Sequence, residues 1–203
     1  MEARLLSLFI GYVFGCILFS PIVARAAGKN IYEEGSGNPG MANTGRVLGT
    51  KAAALVLLGD GMKTVLAIVI CRWLFPAAGD ILTLYAGLGA AIGHCYPFWR
   101  NFQGGKGVAV LAVTYVPYAP VWGILSLLTG GICVLCKMGL KWAAAVISLT
   151  FSVCTGLMGG REAFFVSLVM AALMILRNSR KTLLDKAEEK PAQENKENNG
   201  KEN

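Results

Sequence analysis

Long runs of apolar residues constrain this chain more than any other feature of its sequence. The first run extends from Leu5 to Ala24 without a charged residue, which is long enough for a helix to cross a bilayer. It lacks the small-residue cleavage site of a signal peptide, so we expect it to be retained as a span. Of the 203 residues, 55% are hydrophobic and only 15% are charged. The sequence therefore predicts an all-α polytopic integral membrane protein.

Further apolar segments supply the other predicted spans, which are Ala52–Phe75, Ile81–Tyr96, Ala143–Met158 and Ala163–Leu176. The segment Val108–Cys136 is too long for one span of about 20 residues and short for two. Pro117 and Pro120 near its middle favour a break, because proline removes a helical hydrogen bond.

The distribution of positive charge decides how this segment crosses. One crossing would put either Arg100 and Lys106, or Lys137 and Lys141, on the outer face of the membrane. A pair of crossings keeps both clusters in the cytoplasm, as the positive-inside rule prefers. We therefore predict seven transmembrane helices, with the N-terminus outside and the C-terminus cytoplasmic.

The composition changes after residue 178. Residues 179–203 are rich in Lys, Glu and Asn and contain few apolar side chains, so they cannot bury enough surface to fold alone. We predict a membrane domain over residues 1–178 and a charged, disordered cytoplasmic tail over residues 179–203.

Several classes of function are disfavoured. The net charge is +7, but the basic residues are spread over short loops and the tail, so nucleic acid is not an expected partner. Cys133 and Cys136 form a C-x-x-C without a second cysteine pair, which is more typical of packing than of a metal or redox site. With a single histidine, His94, no metal site is predicted, and no cofactor is expected.

Two glycine-rich loops carry the residues that could do chemistry, and the predicted topology puts both on the cytoplasmic face. The first offers Ser36, Gly37, Asn38, Gly40, Asn43 and Arg46, and the second offers His94, Gly104, Gly105, Lys106 and Gly107. Arginine can bind phosphate with two hydrogen bonds, and the N–H groups of glycines at the start of a helix suit an anion. We therefore predict an anionic substrate that binds from the cytoplasm.

Simpler interpretations exist for each part. A glycine-rich turn between spans can be a tight connection, Lys106 can be an ordinary cytoplasmic lysine, and His94 can cap a helix. The second loop is not a Walker A motif, because Gly107 stands where serine or threonine is required. Together, however, the two loops are difficult to explain as connectors.

Asp60 and Lys63 are ionisable residues inside a predicted span. They are three residues apart, so they share a helix face and can form an ion pair. Such residues usually face the interior of a helix bundle. A structural ion pair and a direct role in substrate binding are both compatible with the spacing, and we favour a supporting role.

The motifs of the two loops, with Asp60-x-x-Lys63, resemble those of the bacterial acyl-phosphate-dependent glycerol-3-phosphate acyltransferases, the PlsY family. The resemblance covers nearly the whole chain up to Leu176. It rests on Gly35-Ser36-Gly37-Asn38-Pro39-Gly40-x-x-Asn43-x-x-Arg46 and Gly93-His94-x-x-Pro97-x-x-x-x-Phe102-x-Gly104-Gly105-Lys106-Gly107. The sequence departs from the family pattern at Tyr32 and Gln103, and the element that begins at Arg177 and Asn178 matches it only loosely.

The resemblance implies a seven-helix enzyme of the bacterial inner membrane with no cofactor. Its substrates would be acyl phosphate and sn-glycerol 3-phosphate, and a partner enzyme could produce the acyl phosphate. It implies catalytic roles for Ser36, His94 and Lys106, with Asp60, Lys63, Arg177 and Asn178 in support. Either His94 or a substrate phosphate would accept the proton.

The expected acyl donor follows from a missing motif. The H-x-x-x-x-D dyad of other glycerolipid acyltransferases is absent, since Trp99 stands where the aspartate would be, which favours acyl phosphate over acyl-CoA. A non-enzymatic anion carrier and a degenerate paralogue on the same scaffold are the alternatives.

Overall fold

The computed structural model describes residues 1–158 and 160–177, and within them it contains helices and no strand. The α-helices are α1 (Glu2–Gly15), α2 (Phe19–Ala26), α3 (Met41–Leu48), α4 (Thr50–Leu74), α5 (Ile81–Cys95), α6 (Val108–Tyr118), α7 (Pro120–Leu135), α8 (Leu140–Leu157) and α9 (161–177). Single 3-10 turns cover Pro76–Ala78 and Phe98–Arg100. The all-helical prediction is confirmed for these residues.

Most predicted apolar segments correspond to one helix each, but the first does not. The predicted span over Leu5–Ala24 lies within Glu2–Ala26, a stretch long and apolar enough to cross a membrane, but its helix stops at Gly15 and restarts at Phe19. Pro21 lies in the first turn of α2, where its missing N–H group is tolerated. The break brings non-helical backbone into the interior of the bundle.

The predicted break within Val108–Cys136 is present. Helices α6 and α7 are separated at Ala119, whose backbone is extended (φ −145°, ψ 87°). The cause is Pro120, which disfavours the helical conformation for the residue before it and is itself well suited to the first position of α7.

Helices α1 and α5 pack with their backbones in close contact through glycines on both sides. A Cβ atom on Gly11 would lie 2.1 Å from the Ala86 carbonyl oxygen, and one on Gly89 would lie 2.1 Å from the Leu8 carbonyl oxygen. Gly15 and Gly93 repeat the arrangement one turn further along each helix. Small residues spaced four apart allow such close approach in membrane helices.

The apolar core lies on the other side of α5. It consists of buried side chains of α5, α6, α8 and α9, and at its centre the Tyr115 and Phe151 rings stack with centroids 3.9 Å apart. Helix α5 therefore has one face against α1 and another against this core, which makes it the central helix of the bundle.

Ion pairs at one end of the bundle fix the direction of four helices. Arg4 at the start of α1 pairs with Glu162 at the start of α9, and the Tyr85 hydroxyl near the start of α5 donates to Glu162 (3.0 Å). Arg72 near the end of α4 pairs with Asp80, which immediately precedes α5. The loops that precede α4 and follow α5 therefore emerge together at the opposite end.

Three stretches of the described chain are long and apolar enough to cross a membrane, namely Glu2–Ala26, Thr50–Leu74 and Ile81–Arg100. The apolar helices Val108–Tyr118, Pro120–Leu135 and Trp142–Leu157 are shorter. The count of seven spans and the orientation of the termini remain predictions. Asn178 and the predicted tail over residues 179–203 lie outside the described residues.

The contact between α1 and α5 leads to a prediction about stability. We expect Gly89→Ala to force the two backbones apart and to cost about 1–3 kcal/mol, as overpacking does. Thermal unfolding of the purified protein in detergent would measure this. Gly131→Ala in α7 is the matched control, because a Cβ atom there meets nothing within 4 Å. Equal midpoints for the two variants would contradict the predicted packing.

Candidate active site

The first glycine-rich loop is held in shape by the buried Asn43 amide. Its Oδ1 accepts a hydrogen bond from the Ser36 N–H (2.8 Å), and its Nδ2 donates to the carbonyls of Ile31 (3.2 Å) and Glu34 (2.9 Å). A Cβ atom on Gly35, which has φ 61°, would lie 2.3 Å from Asn43 Oδ1. The amide of Asn43, a residue that was predicted to bind phosphate, is thus used to fold the loop, and it holds the backbone N–H of Ser36.

Side chains at the rim of this loop remain available to a ligand. Asn38 Oδ1 is buried without a hydrogen-bond partner among the described residues, and Arg46 is exposed on α3. Thr44 anchors α3, since its hydroxyl lies 2.7 Å from that of Ser20 in α2. The contact between Thr44 and Ser20 joins two helices across the first loop, and no sequence pattern predicted it.

The second loop folds back onto the end of α5. The N–H of Gly104 donates to the Cys95 carbonyl and that of Gly105 to the His94 carbonyl, each over 2.9 Å. These bonds satisfy carbonyls that the end of a helix leaves without partners. The two N–H groups that were predicted to bind phosphate are therefore used within the protein in this structure.

Close contact with His94 explains why glycine is required in the second loop. A Cβ atom on Gly104 would lie 2.0 Å from the His94 carbonyl oxygen, and one on Gly105 would lie 2.1 Å from His94 Nε2. The chain then enters α6 through Gly107 in the left-handed conformation (φ 76°).

Arg177, near the end of the described chain, closes the second loop from the other side. Its guanidinium group donates to the carbonyls of Gly104 (2.6 Å) and Gly105 (3.3 Å). The predicted supporting residue Arg177 therefore touches this loop. The companion prediction, Asn178, lies outside the described residues.

Three buried polar side chains, Asp60, Lys63 and His94, meet beneath the two loops. Lys63 Nζ lies 2.8 Å from Asp60 Oδ1, which confirms the predicted ion pair within α4. The same Nζ lies 3.0 Å from His94 Nδ1, whereas Asp60 Oδ1 is 3.6 Å from that nitrogen. A charged pair inside a helix bundle is tolerated when its remaining donors are also satisfied.

Lys63 also donates hydrogen bonds to backbone carbonyls at the break between α1 and α2. It donates to the carbonyls of Gly15 (3.1 Å) and Ile17, and the Trp99 indole donates to the carbonyl between them, that of Cys16 (2.7 Å). Non-helical backbone at membrane depth requires such internal partners. The buried ion pair thus stabilises the broken helix, a role that its spacing in the sequence did not reveal.

The contacts of His94 limit what its ring can do. An ammonium group only donates hydrogen bonds, so Nδ1 must accept from Lys63 and the proton of a neutral ring lies on Nε2. Neither nitrogen then has a free lone pair for a substrate proton. This arrangement disfavours His94 as a general base and favours it as an N–H donor.

The two loops, together with Asp60 and His94 of this buried cluster, line one cavity of about 470 Å³. Its polar lining comprises Ser36, Asn38, Asn43, Arg46, Asp60, His94 and Lys106, and its glycines include Gly40 and Gly107. Of the charged residues that line the cavity, Arg46 and Lys106 are basic, and the acidic one, Asp60, is paired with Lys63. The N-terminus of α6 adds partial positive charge at the same wall. The cavity is suited to an anion, and within the described residues no cluster of potential metal ligands is found.

Comparison with known proteins agrees with this geometry. Residues 5–184 match the family model described as glycerol-3-phosphate acyltransferase. Glycerol-3-phosphate acyltransferase 1 of Lactobacillus acidophilus is 41% identical over 176 residues, covering 86% of this chain and 84% of the relative. That of Lactobacillus johnsonii is 40% identical over 181 residues, covering 88% and 86%.

Among solved structures, the similar ones are also of a glycerol 3-phosphate acyltransferase. The fold is similar to the crystal structure of PlsY, an integral membrane glycerol 3-phosphate acyltransferase, in its glycerol 3-phosphate form, with a TM-score of 0.76 and 28% identity. The alignment covers 88% of this chain and 90% of that one. The lysophosphatidic acid form of PlsY matches with a TM-score of 0.74 and 29% identity, covering 88% of this chain and 89% of that one.

The contacts of Lys63 lead to a test of the buried cluster. We expect Lys63→Met to leave the Asp60 carboxylate without its partner and the Gly15 and Ile17 carbonyls without a donor, at a cost of about 3–5 kcal/mol. In the double variant, Lys63→Met with Asp60→Asn, the unpaired negative charge is removed, and part of the lost stability should be recovered. Unfolding midpoints in detergent would measure both effects. If the double variant were no more stable than Lys63→Met, the ion pair would not be what maintains the cluster.

Proposed function

The chain belongs to the glycerol-3-phosphate acyltransferase family, and we propose that it transfers a fatty acyl group from acyl phosphate to the 1-hydroxyl of sn-glycerol 3-phosphate. The products are 1-acyl-glycerol 3-phosphate and phosphate, at the start of phospholipid synthesis. The observation that carries the proposal is that Ser36 and Arg46 of the first loop and Lys106 of the second line the same cavity.

Two phosphate groups account for the composition of this cavity. Both substrates carry one, and arginine and lysine are the side chains that bind phosphate most strongly. Arg46 and Lys106 approach from different loops, so the cavity offers one cation for each phosphate. Ser36 and Asn38 supply neutral polar groups beside them, as recognition of a glycerol hydroxyl requires.

An apolar groove continues from the cavity and suits the acyl chain. This groove of about 460 Å³ lies between α4 and α6 and shares Leu57, Ala109 and Ala112 with the cavity. Its other lining residues are Leu58, Gly61, Met62, Val65 and Val113. Leu58 and Met62 are more than half exposed, so the groove opens on the outer surface of the bundle, where the bilayer would be.

The proposed reaction needs positioning and charge stabilisation more than a protein base. The 1-hydroxyl oxygen bonds to the acyl carbon, the bond from that carbon to the phosphate oxygen breaks, and the hydroxyl proton passes to a phosphate oxygen. Of Lys106 and Arg46, the cation at the acyl phosphate stabilises the negative charge that grows on the leaving phosphate, and the other holds the phosphate of glycerol 3-phosphate. Because Lys63 occupies His94 Nδ1, we assign His94 the role of an N–H donor that orients a substrate oxygen.

The cellular setting follows from the same proposal. We infer a multi-pass protein of the bacterial inner membrane with seven spans, its N-terminus outside and both glycine-rich loops in the cytoplasm. Glycerol 3-phosphate would then reach the cavity from the cytoplasm, while acyl phosphate would enter from the bilayer through the groove. An enzyme that makes acyl phosphate is the expected partner.

The activity assay uses purified protein, labelled glycerol 3-phosphate and three donors with the same acyl chain: acyl phosphate, acyl-CoA and acyl carrier protein. We expect product from acyl phosphate alone. Lys106→Met and Ser36→Ala should each reduce turnover by at least about 100-fold, as loss of a transition-state donor does. Lys51→Met, an exposed lysine at the start of α4, should be unaffected.

The outcomes separate the alternatives. Product from none of the three donors, with uptake of glycerol 3-phosphate into liposomes that contain the protein, would indicate a carrier instead. Turnover from acyl-CoA at an equal rate would contradict the proposed donor. Full activity in Lys106→Met would contradict the proposed site.

The groove predicts control over chain length. A Cβ atom on Gly61 would lie 3.6 Å from the Val113 side chain across the groove, so Gly61→Phe should fill it. We expect the variant to use short acyl phosphates as well as the wild type does and to lose turnover with long ones by roughly 10-fold or more. Gly131→Phe on α7, away from the groove, is the control. A uniform loss across all chain lengths would argue against this groove as the acyl site.

A further inference from the structure

A second and larger cavity, of about 790 Å³, is lined in part by the residues of the break between α1 and α2, Cys16, Ile17 and Leu18. Carbonyls at this break accept hydrogen bonds from Lys63 and Trp99. None of the residues proposed above to bind substrate lines this second cavity. Its lining therefore calls for a separate explanation.

The charged residues that line the second cavity are all basic. Its mouth carries Arg25, Lys29 and Arg100, and its lining includes no acidic residue. Lys29 pairs with Glu34 (2.8 Å), but neither arginine has a carboxylate partner among the described residues. Two unpaired guanidinium groups at one opening would attract an anion, and phosphate most of all.

Tyr32 supplies a polar group that lacks a partner. Its hydroxyl is buried and makes no hydrogen bond to any described residue, while the Arg100 guanidinium lies 4.0 Å above the centre of its ring. Burial raises the pKa of Tyr32, although Arg100 and Arg25 oppose the shift. The hydroxyl therefore stays protonated at neutral pH and can donate to a ligand oxygen.

The remainder of the lining is apolar and continues onto the outer surface of the bundle. Val13, Ile17 and Ile22 each line the cavity and are each roughly half exposed, at 45%, 44% and 53%. Phe98 and Trp99 frame the mouth, and exposed aromatic residues of this kind concentrate where membrane and water meet. A small soluble anion would leave this apolar wall uncovered, whereas a lipid would cover it.

We propose that the second cavity binds an anionic membrane phospholipid, whose phosphate is held by Arg25, Arg100 and the Tyr32 hydroxyl and whose chains lie along α1. Basic residues at the cytoplasmic surface attract anionic lipids in general, and here they are combined with a shaped cavity. Tyr32 precedes the first glycine-rich loop, and Arg100 lies within the second. A lipid bound to both would hold the two active-site loops together from behind.

Native mass spectrometry of the purified protein, without acyl donor, tests the proposal directly. We expect phosphatidylglycerol to bind at least 10-fold more tightly than phosphatidylcholine with the same chains. Arg25→Gln with Arg100→Gln should abolish that preference, and Tyr32→Phe should weaken it several-fold. Arg100→Lys keeps the positive charge and should retain part of the preference for phosphatidylglycerol. Arg72→Gln, which removes an arginine at the opposite end of the bundle, is the matched control.

A second readout guards against misfolding. In the wild type, phosphatidylglycerol should raise the unfolding midpoint, and Tyr32→Phe, a change of one hydroxyl, should reduce that rise without lowering the midpoint in detergent alone. Equal binding of phosphatidylglycerol by wild type and the double arginine variant would overturn the proposal. Tighter binding of 1-acyl-glycerol 3-phosphate or of inorganic phosphate that the double arginine variant loses would also overturn it, since either would then indicate a product or phosphate site in the second cavity. These measurements do not depend on turnover, so they remain decisive if the acyltransferase assignment fails.

Discussion

One buried ammonium group, that of Lys63, connects the parts of the molecule on which the proposed site depends. It lies on α4, pairs with Asp60, contacts His94 at the end of α5 and donates to the carbonyls of Gly15 and Ile17 where α1 is interrupted. A charge in this position requires a partner for each of its protons. The broken helix supplies those partners, and Lys63 in turn satisfies backbone groups that membrane lipid could not. The break and the ion pair therefore depend on each other.

The two glycine-rich loops divide their residues between shape and binding. Asn43, Gly104 and Gly105 form hydrogen bonds within the protein, and these bonds position the backbone. Ser36, Arg46 and Lys106 line the cavity that the loops enclose. Glycine is thus required in these loops chiefly because other protein atoms lie where a side chain would be. At Gly105, for example, the His94 ring occupies that space. A rigid frame of this kind suits a reaction that depends on the positions of two phosphates.

Much of this arrangement could be predicted from the sequence. Helices α4 to α9, the break before Pro120, the pairing of Asp60 with Lys63 and the meeting of both loops at one cavity follow from apolar runs, proline and short-range spacing. Helix α3 was not predicted, since its first half lies in the glycine-rich loop. The interruption of the first helix could not be predicted in this way. The contacts that stabilise it, with Lys63 and Trp99, join residues that are 46 to 83 positions apart in the sequence. Composition also cannot distinguish a glycine that faces a ligand from one that faces a neighbouring side chain. Arg100 over Tyr32 is a further contact of this long-range kind.

The central claim is that the two loops form one anion site, and binding of glycerol 3-phosphate tests it without requiring turnover. Calorimetric titration of the purified protein should show one molecule bound per chain. Arg46→Gln in the first loop and Lys106→Gln in the second should each weaken binding by about 10-fold or more, as loss of a charge-assisted hydrogen bond does, while Lys51→Gln should not. Wild-type affinity in either loop variant would contradict the claim, because the loop concerned would then not contribute to the site.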